Sequence, residues 1–311
     1  MRGESSTIFC TRRNLFFCTV PANEIGENRP KSFGAILMKN SQKKPRVWEL
    51  DALRGLLLIG LLITHIMACT EELCRNAYNI FGNEVGNAAV PHLWLFSWNP
   101  KLMIWEEAWI TKFFRFIDYP AVCCFFIVSG ISCVFSRNNF KSGLRLLTGA
   151  AFVSLFTWIL TIVTGDKGQF IRFGALHCYA LCHLIYYFLL EGKRDRVLLI
   201  VAAASLAFGI YLRFIPIQSE FALLVPFGIR EYGAIHRDYW PVFPMLGWFL
   251  IGVVLGKRFY SKKETLFPGQ ADRKWHRPIC FLGRYSGLIY CGHMVVYTLV
   301  FCGIGYIFDL Y

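Results

Sequence analysis

The chain has 311 residues, of which 55% are hydrophobic, 17% aromatic and only 17% charged. This composition excludes an ordinary soluble domain, because such domains carry about 25% charged residues. The net charge of +13 does not indicate a nucleic-acid partner. The positive charge falls in alternate loops between apolar runs, which is the pattern of membrane topology.

The twelve cysteines do not indicate a metal or redox centre. Most of them lie inside apolar runs, where a thiol behaves as a small buried hydrophobic group. No Cys-x-x-Cys spacing and no glycine-rich phosphate-binding motif occurs in the sequence. A disulfide between Cys69 and Cys74 is the one weak candidate for an oxidised pair.

Residues 1–45 are polar and basic and contain no apolar segment long enough to cross a membrane. We expect a disordered N-terminal extension here. Met38 is followed by a short basic leader and then the first apolar run, which suggests that the natural chain starts at Met38. Residues 46–311 are predicted to form one transmembrane domain.

Seven apolar runs predict an all-α, polytopic membrane helix bundle. The predicted spans are 53–69, 119–136, 144–164, 173–190, 197–215, 239–255 and 279–308. The tryptophan-rich segment 70–118 is typical of an interfacial or re-entrant element. A re-entrant piece at 221–227 would make an eighth membrane element.

Basic residues are segregated between the two sides of this predicted bundle. One side collects the N-terminal tail, alternate loops and Arg284, and it holds most of the 33 lysines and arginines but fewer than half of the 20 acids. Because basic loops stay in the cytoplasm, we expect a cytoplasmic N-terminus.

The first apolar run carries three ionisable residues. Arg54 and His65 lie about three helical turns apart and therefore share a face, and Asp51 precedes Arg54 by one turn. Ionisable groups in an apolar helix are expensive and indicate a functional site. The alternative is an Asp–Arg pair at the headgroups and a histidine bonded to a neighbouring helix.

Two further runs contain candidate polar groups. In the fourth run His177 and His183 lie on roughly opposite faces, so only one of them is expected to line a central cavity. In the last run Ser286, Tyr290 and His293 are spaced four and three apart and form one polar stripe. Hydrogen bonding between helices is the alternative explanation of this stripe.

The segment before the sixth run is the last candidate. Asp238 leads into a helix through two prolines, Pro241 and Pro244, which define a rigid entry. We expect Asp238 at the outer mouth of the bundle. The alternative is that this segment is only a turn.

Six sequence motifs follow one another along the chain: RVWELDALRG (46–55), FFIVSGI (125–131), RFGALH (172–177), DYWPVFPMLG (238–247), LIGVVLG (250–256) and LGRYSGLIYCGH (282–293). In this order they resemble the bacterial heparan-alpha-glucosaminide N-acetyltransferase catalytic-domain family. The spacing from Arg54 to His65 also looks like the Arg-x10-His signature of the related acyltransferase family 3.

The resemblance implies a membrane acyltransferase that moves an acyl group, typically acetyl, from cytoplasmic acetyl-CoA to a glycan or amino-sugar acceptor. In the lysosomal member the acceptor is a terminal glucosamine, and the proposed active histidine lies in the loop after the first helix. That loop contains His92 here. No metal is expected. We expect a multi-pass protein of the bacterial inner membrane with the bilayer as partner, and the sequence leaves a homodimer open.

The candidate roles follow from position. Arg54 and Arg284, at cytoplasmic helix ends, are expected to bind the phosphates of the coenzyme. His65 is expected to act as general base or as an acyl-imidazole relay, with Asp51 holding Arg54. The remaining catalytic candidates are His293 and His177, and the acceptor-binding candidates are Asp238, Tyr290 and Ser286. The alternative functions are a small proton-coupled permease and a non-catalytic membrane scaffold.

Overall fold

The computed structural model of the chain describes residues 47–66, 109–164, 170–215, 217–232, 238–270 and 274–307. Three predictions fall outside these residues: the extension 1–45 with its start at Met38, the Cys69–Cys74 disulfide and any role of His92. All of the described residues belong to the unit Pro45–Tyr311.

Eight α-helices make up most of the described part of the chain, which confirms the prediction of a helical protein. The first, α1, covers residues 48–66. The others are α2 (Trp109–Phe135), α3 (Asn139–Thr164), α4 (Ala175–Ile185), α5 (Asp195–Phe214), α6 (Val242–Phe259), α7 (Arg277–Arg284) and α8 (Ser286–Ile307).

The other described elements are short. A π-helical turn, Tyr186–Leu190, continues α4. Strands β1 (Gln218–Ser219) and β2 (Arg230–Glu231) pair in parallel, with Gln218 opposite Arg230. A 3-10 helix, Ala222–Phe227, connects them at the place where a re-entrant piece was the sequence-based alternative. A last 3-10 turn is Pro268–Gln270.

Within the described residues, four helical segments are long and apolar enough to cross a bilayer, and α7 with α8 adds a fifth if they form one bent span. Helix α1 carries Glu49, Asp51 and Arg54 in its first two turns, and α4 with its π turn is short. Seven spans and a cytoplasmic N-terminus therefore stay predictions. The four segments are Phe116–Cys133, Asn139–Val163, Asp195–Phe214 and Val242–Phe259.

Two predicted boundaries differ from the structure. Helix α2 begins at Trp109, so residues 109–118, assigned to an interfacial element, are helical. The last predicted helix, 279–308, is two helices that meet at an angle of 79° around Tyr285. The apolar pattern is interrupted at this point by Gly283, Arg284, Ser286 and Gly287, a signal that the prediction of one continuous helix passed over.

The core lies where α6 packs against α2. Phe126, Phe249 and Val253 are fully buried there. Gly130 and Gly252 allow the two backbones to approach, because an added Cβ would overlap the carbonyl oxygen of the facing helix at each position. Small residues serve this purpose between membrane helices, where close packing rather than the hydrophobic effect holds helices together.

Helix α7 packs against the beginning of α1 and so positions the first charged residues. An added Cβ at Gly283 would overlap the carbonyl oxygen of Asp51, and one at Gly55 would overlap that of Ile279. The ring of Trp48 stacks on His276 at a centroid distance of 4.4 Å. Asp51 and Arg284 are thereby brought side by side.

Candidate active site

A cavity of about 1480 Å³ lies between α1, α2, α3, α4 and α8. Three arginines, Arg54, Arg145 and Arg284, line its wall, and so do two carboxylates, Asp118 and Asp238. Since polar groups at this depth are expensive unless they serve a binding or conducting surface, the cavity is the candidate site. Its wall includes the predicted residues Arg54, His65, Asp238, Arg284, Ser286 and Tyr290.

One carboxylate holds two arginines at the beginning of α1. Asp51 accepts a hydrogen bond from Arg54 through Oδ1 at 3.1 Å and from Arg284 through Oδ2 at 3.3 Å. Arg54 also donates to Ser132 on α2. The contact between Asp51 and Arg54 that the helical spacing predicts is present. With one carboxylate oxygen bonded to each arginine, Asp51 positions both Arg54 and Arg284 on the cavity wall.

Two histidines meet between α1 and α8. Nδ1 of His65 lies 2.6 Å from Nε2 of His293, and the two rings meet edge to edge, with centroids 4.9 Å apart and planes 14° from parallel. His65 lines the cavity. His293 is buried and is 228 residues away in sequence. The fold therefore joins the histidine of the first apolar run to the polar stripe of the last.

The hydrogen bonds of this pair determine the tautomers of the two neutral rings. Nδ1 of His293 contacts the carbonyl oxygen of Tyr290, and a carbonyl can only accept, so His293 carries its proton on Nδ1. Its Nε2 must then accept from Nδ1 of His65. Nε2 of His65 is left without a proton, and it has no hydrogen-bond partner among the described residues. It is a free base at the cavity wall.

Asp238 ties three elements together. Its carboxylate accepts hydrogen bonds from the Tyr290 hydroxyl at 2.8 Å, the Trp240 indole at 3.1 Å and the Ala175 backbone N–H at 3.2 Å. Gly174 makes room for it, because an added Cβ would lie 2.6 Å from Oδ2 of Asp238. Asp238 thus joins the first turn of α4 to α8 and faces the same cavity.

We expect Asp238 to make the stability of the fold depend on pH. Burial raises the pKa of this carboxyl, although its three hydrogen bonds act in the opposite direction. With a raised pKa in the folded state, the stabilisation is complete below about pH 4 and is lost as the pH rises through the raised pKa. Asp238→Asn should flatten this decline in thermal unfolding temperature, measured in detergent between about pH 4 and 8. Parallel curves for the two proteins would contradict the expectation.

The two histidines of α4 take different places. His177 lies outside the cavity wall, where Nδ1 accepts from the Gly174 backbone N–H at 3.2 Å and Nε2 lies 3.1 Å from the Ser154 hydroxyl. His183 lines the cavity, with Nε2 at 3.0 Å from the Ser129 hydroxyl. His177 therefore binds the backbone at the N-terminus of α4, and His183 is the member of the pair that lines the cavity.

Sequence reasoning missed three cavity residues as site candidates: Asp118, Arg145 and His183. Asp118 was counted with an interfacial segment, and Arg145 is the second residue of the predicted span 144–164. His183 was noticed only as the alternative to His177. An acid within the first three turns of α2 and a base in the second turn of α3 were the available signal. Within the described residues no group of three or more His, Cys, Asp or Glu side chains could hold a metal ion.

The fold and the site define a class of protein. It is a helical membrane protein whose largely apolar cavity carries an arginine–carboxylate cluster and a histidine pair. The sequence profile described as heparan-alpha-glucosaminide N-acetyltransferase, catalytic, matches residues 92–295. The chain belongs to this family of membrane N-acetyltransferases, which confirms the resemblance seen in its motifs. No curated protein and no solved structure matches the chain significantly.

Proposed function

We propose that the protein transfers an acyl group from cytoplasmic acyl-CoA to an amino-sugar or other glycan acceptor of the cell envelope. Acetyl is the acyl group that we expect. Family membership supports acetyl transfer. The cavity supports two substrates, since it has arginines for an anionic donor and separate carboxylates for an acceptor that presents N–H or O–H groups. Acetyl-CoA is here a substrate: it enters the site, and CoA leaves after the transfer.

The observation that carries this proposal is the contact of His65 with His293, from which we infer that Nε2 of His65 is the basic nitrogen. In direct transfer it removes the proton from the acceptor, the acceptor atom bonds to the thioester carbon, and the C–S bond breaks. The departing thiolate then takes the proton from the imidazolium. In the relay, Nε2 itself bonds to the acyl carbon and the C–S bond breaks to release the thiolate. The acceptor then bonds to the acyl carbon and displaces the imidazole, and the proton it loses passes through the imidazole to the thiolate. His293 orients His65 in both routes.

The direction of transfer follows the axis of α1. Arg54 and Arg284 hold the phosphates of the donor at the end where α1 begins. His65 lies roughly 16 Å further along the helix by helical rise, where a pantetheine arm delivers the acyl group. Asp238, Tyr290 and Ser286 bind the acceptor. This path runs outward if the N-terminus is cytoplasmic.

The proposed setting is the bacterial inner membrane, with seven spans and the domain 46–311 carrying the activity. Segregation of the basic residues supports this orientation. A homodimer stays a prediction.

The test is acetyl transfer by the purified full-length protein in lipid nanodiscs. Acetyl-CoA labelled in the acetyl group is incubated with glucosamine and, separately, with N-acetylglucosamine. The expected result is labelled amide on glucosamine and thiol release that depends on the acceptor. N-Acetylglucosamine has no free amine, so label on it would indicate hydroxyl acceptors instead. Failure to bind acetyl-CoA would contradict the proposal and favour the permease or the scaffold.

A further inference from the structure

Arg145 stands apart from the other two arginines of the cavity. It projects from the second turn of α3, lines the cavity and is exposed. Its Nη2 donates to the Ser142 hydroxyl at 3.2 Å and its Nε to the Lys141 carbonyl at 3.4 Å. Both partners are neutral. Because a guanidinium has five N–H groups, most of its donors stay available.

The charge at this end of the cavity is only partly neutralised. Asp51 uses one oxygen for Arg54 and the other for Arg284. No carboxylate within the described residues lies in ion-pair contact with Arg145, and three guanidiniums therefore face the cavity with one carboxylate between two of them. An anion that enters meets a net positive wall.

Hydroxyl groups accompany Arg145 across the gap between α2 and α3. The hydroxyls of Ser136 and Ser142 lie 3.1 Å apart, and both residues line the cavity. Ser136 also accepts from the Asn138 backbone N–H, and Ser142 also contacts the Asn138 carbonyl, both at 3.3 Å. Because a hydroxyl proton rotates, an anion in the cavity can take the place of one of these long contacts. A guanidinium beside two hydroxyls matches the oxygens of a phosphate, which planar guanidinium groups bind through paired N–H donors.

We propose that Arg145, assisted by Ser136 and Ser142, binds the nucleotide phosphates of the acyl-CoA donor. The inference rests on the proposed function and adds to it a recognition residue on the helix facing Arg54 and Arg284. Arg54 donates hydrogen bonds to Asp51 and Ser132, and these fix its side chain in place on the cavity wall. Arg145 is the one of the three cavity arginines that no described carboxylate neutralises, and it adds its charge to that of Arg54 and Arg284. The pantetheine arm then extends from this end toward His65.

Binding to the full-length protein in nanodiscs tests the inference without an acceptor. Calorimetric titrations use CoA, 3′-dephospho-CoA and pantetheine as probes. Arg145→Gln should weaken CoA binding by about 10- to 100-fold, the loss expected for a hydrogen-bonded charge pair. Pantetheine has no nucleotide phosphates, and its affinity should not change. Arg145→Lys should lie between, because a lysine keeps the charge but loses the planar fork.

The matched control is Arg137→Gln, since Arg137 is exposed in the turn before α3 and does not line the cavity. It should leave CoA binding unchanged, and thermal unfolding should be unchanged in all variants. A loss for CoA alone assigns Arg145 to the 3′-phosphate, and a loss for dephospho-CoA as well assigns it to the diphosphate. Equal CoA affinity in wild type and Arg145→Gln, or an equal loss for pantetheine, overturns the inference alone. Wild-type protein that binds no CoA overturns the proposed function too.

Discussion

Replacing His65 with alanine is expected to lower kcat for acetyl transfer by roughly 10²–10⁴-fold, the usual contribution of a positioned general base. The variant removes the one unprotonated imidazole nitrogen of the histidine pair that faces the cavity. Donor affinity should stay close to that of the wild type, because the arginines that hold the phosphates lie about three turns away. Steady-state kinetics with acetyl-CoA, together with CoA titrations, measure the two effects separately.

His177→Gln is the matched comparison for this variant. His177 bonds to Gly174 and Ser154 outside the cavity wall, so its loss should lower thermal stability while activity is largely retained. An equal loss of activity at His177 and His65 would contradict the assignment of the chemistry to His65. Full activity in His65→Ala would exclude its role altogether.

The two routes through His65 can be separated in the wild-type protein. A relay forms an acyl-imidazole when labelled acetyl-CoA is supplied without acceptor, and the label stays on the protein until the acceptor displaces it. Direct transfer leaves the protein unlabelled. His293→Ala should weaken either route less than His65→Ala does, because His293 acts by orienting the ring and fixing its tautomer.

The helices could be predicted because each follows from a local pattern. Apolar runs of membrane length place α3 and α5 within a few residues of their predicted positions. The bend at Tyr285 was not predicted, although Gly283, Arg284, Ser286 and Gly287 interrupt the apolar run there. Its angle of 79° and the close packing of Gly283 on the backbone of α1 required the fold. Local patterns therefore predict elements, and contacts between distant segments decide how they break.

In the candidate site, too, some contacts follow from the local sequence and others depend on the packing of distant segments. Asp51 and Arg54 are one turn apart, so their contact follows from helical spacing. The contact of His65 with His293 does not, because only the packing of α8 on α1 decides whether His293 or His177 reaches His65. Asp238 likewise meets Tyr290 across 52 residues of sequence. The sequence was enough to recognise the candidate site residues, but which of them contact one another could be learned only from the structure.

Gly252→Ala is expected to destabilise the protein by about 3 kcal/mol or more, at the upper end of what overpacking usually costs. The new methyl group would overlap the carbonyl oxygen of Ile127 on α2, and a backbone atom cannot move aside as the tip of a flexible side chain can. Helices α2 and α6 would have to separate, which loosens the packing around Phe126 and Phe249. Thermal unfolding in detergent, followed by size-exclusion chromatography, measures this loss.

Gly60→Ala is the control for this prediction, because an added Cβ on α1 at Gly60 meets none of the described residues within 4 Å. It should keep or slightly raise the unfolding temperature, since alanine is favoured over glycine in a helix. Gly130 lies on the same interface as Gly252 and faces Phe249. The double variant of Gly130 and Gly252 should therefore lose less stability than two independent changes, as contacts sharing one interface are not additive. Equal stability of Gly252→Ala and Gly60→Ala would show that close approach of α2 and α6 does not hold this bundle together.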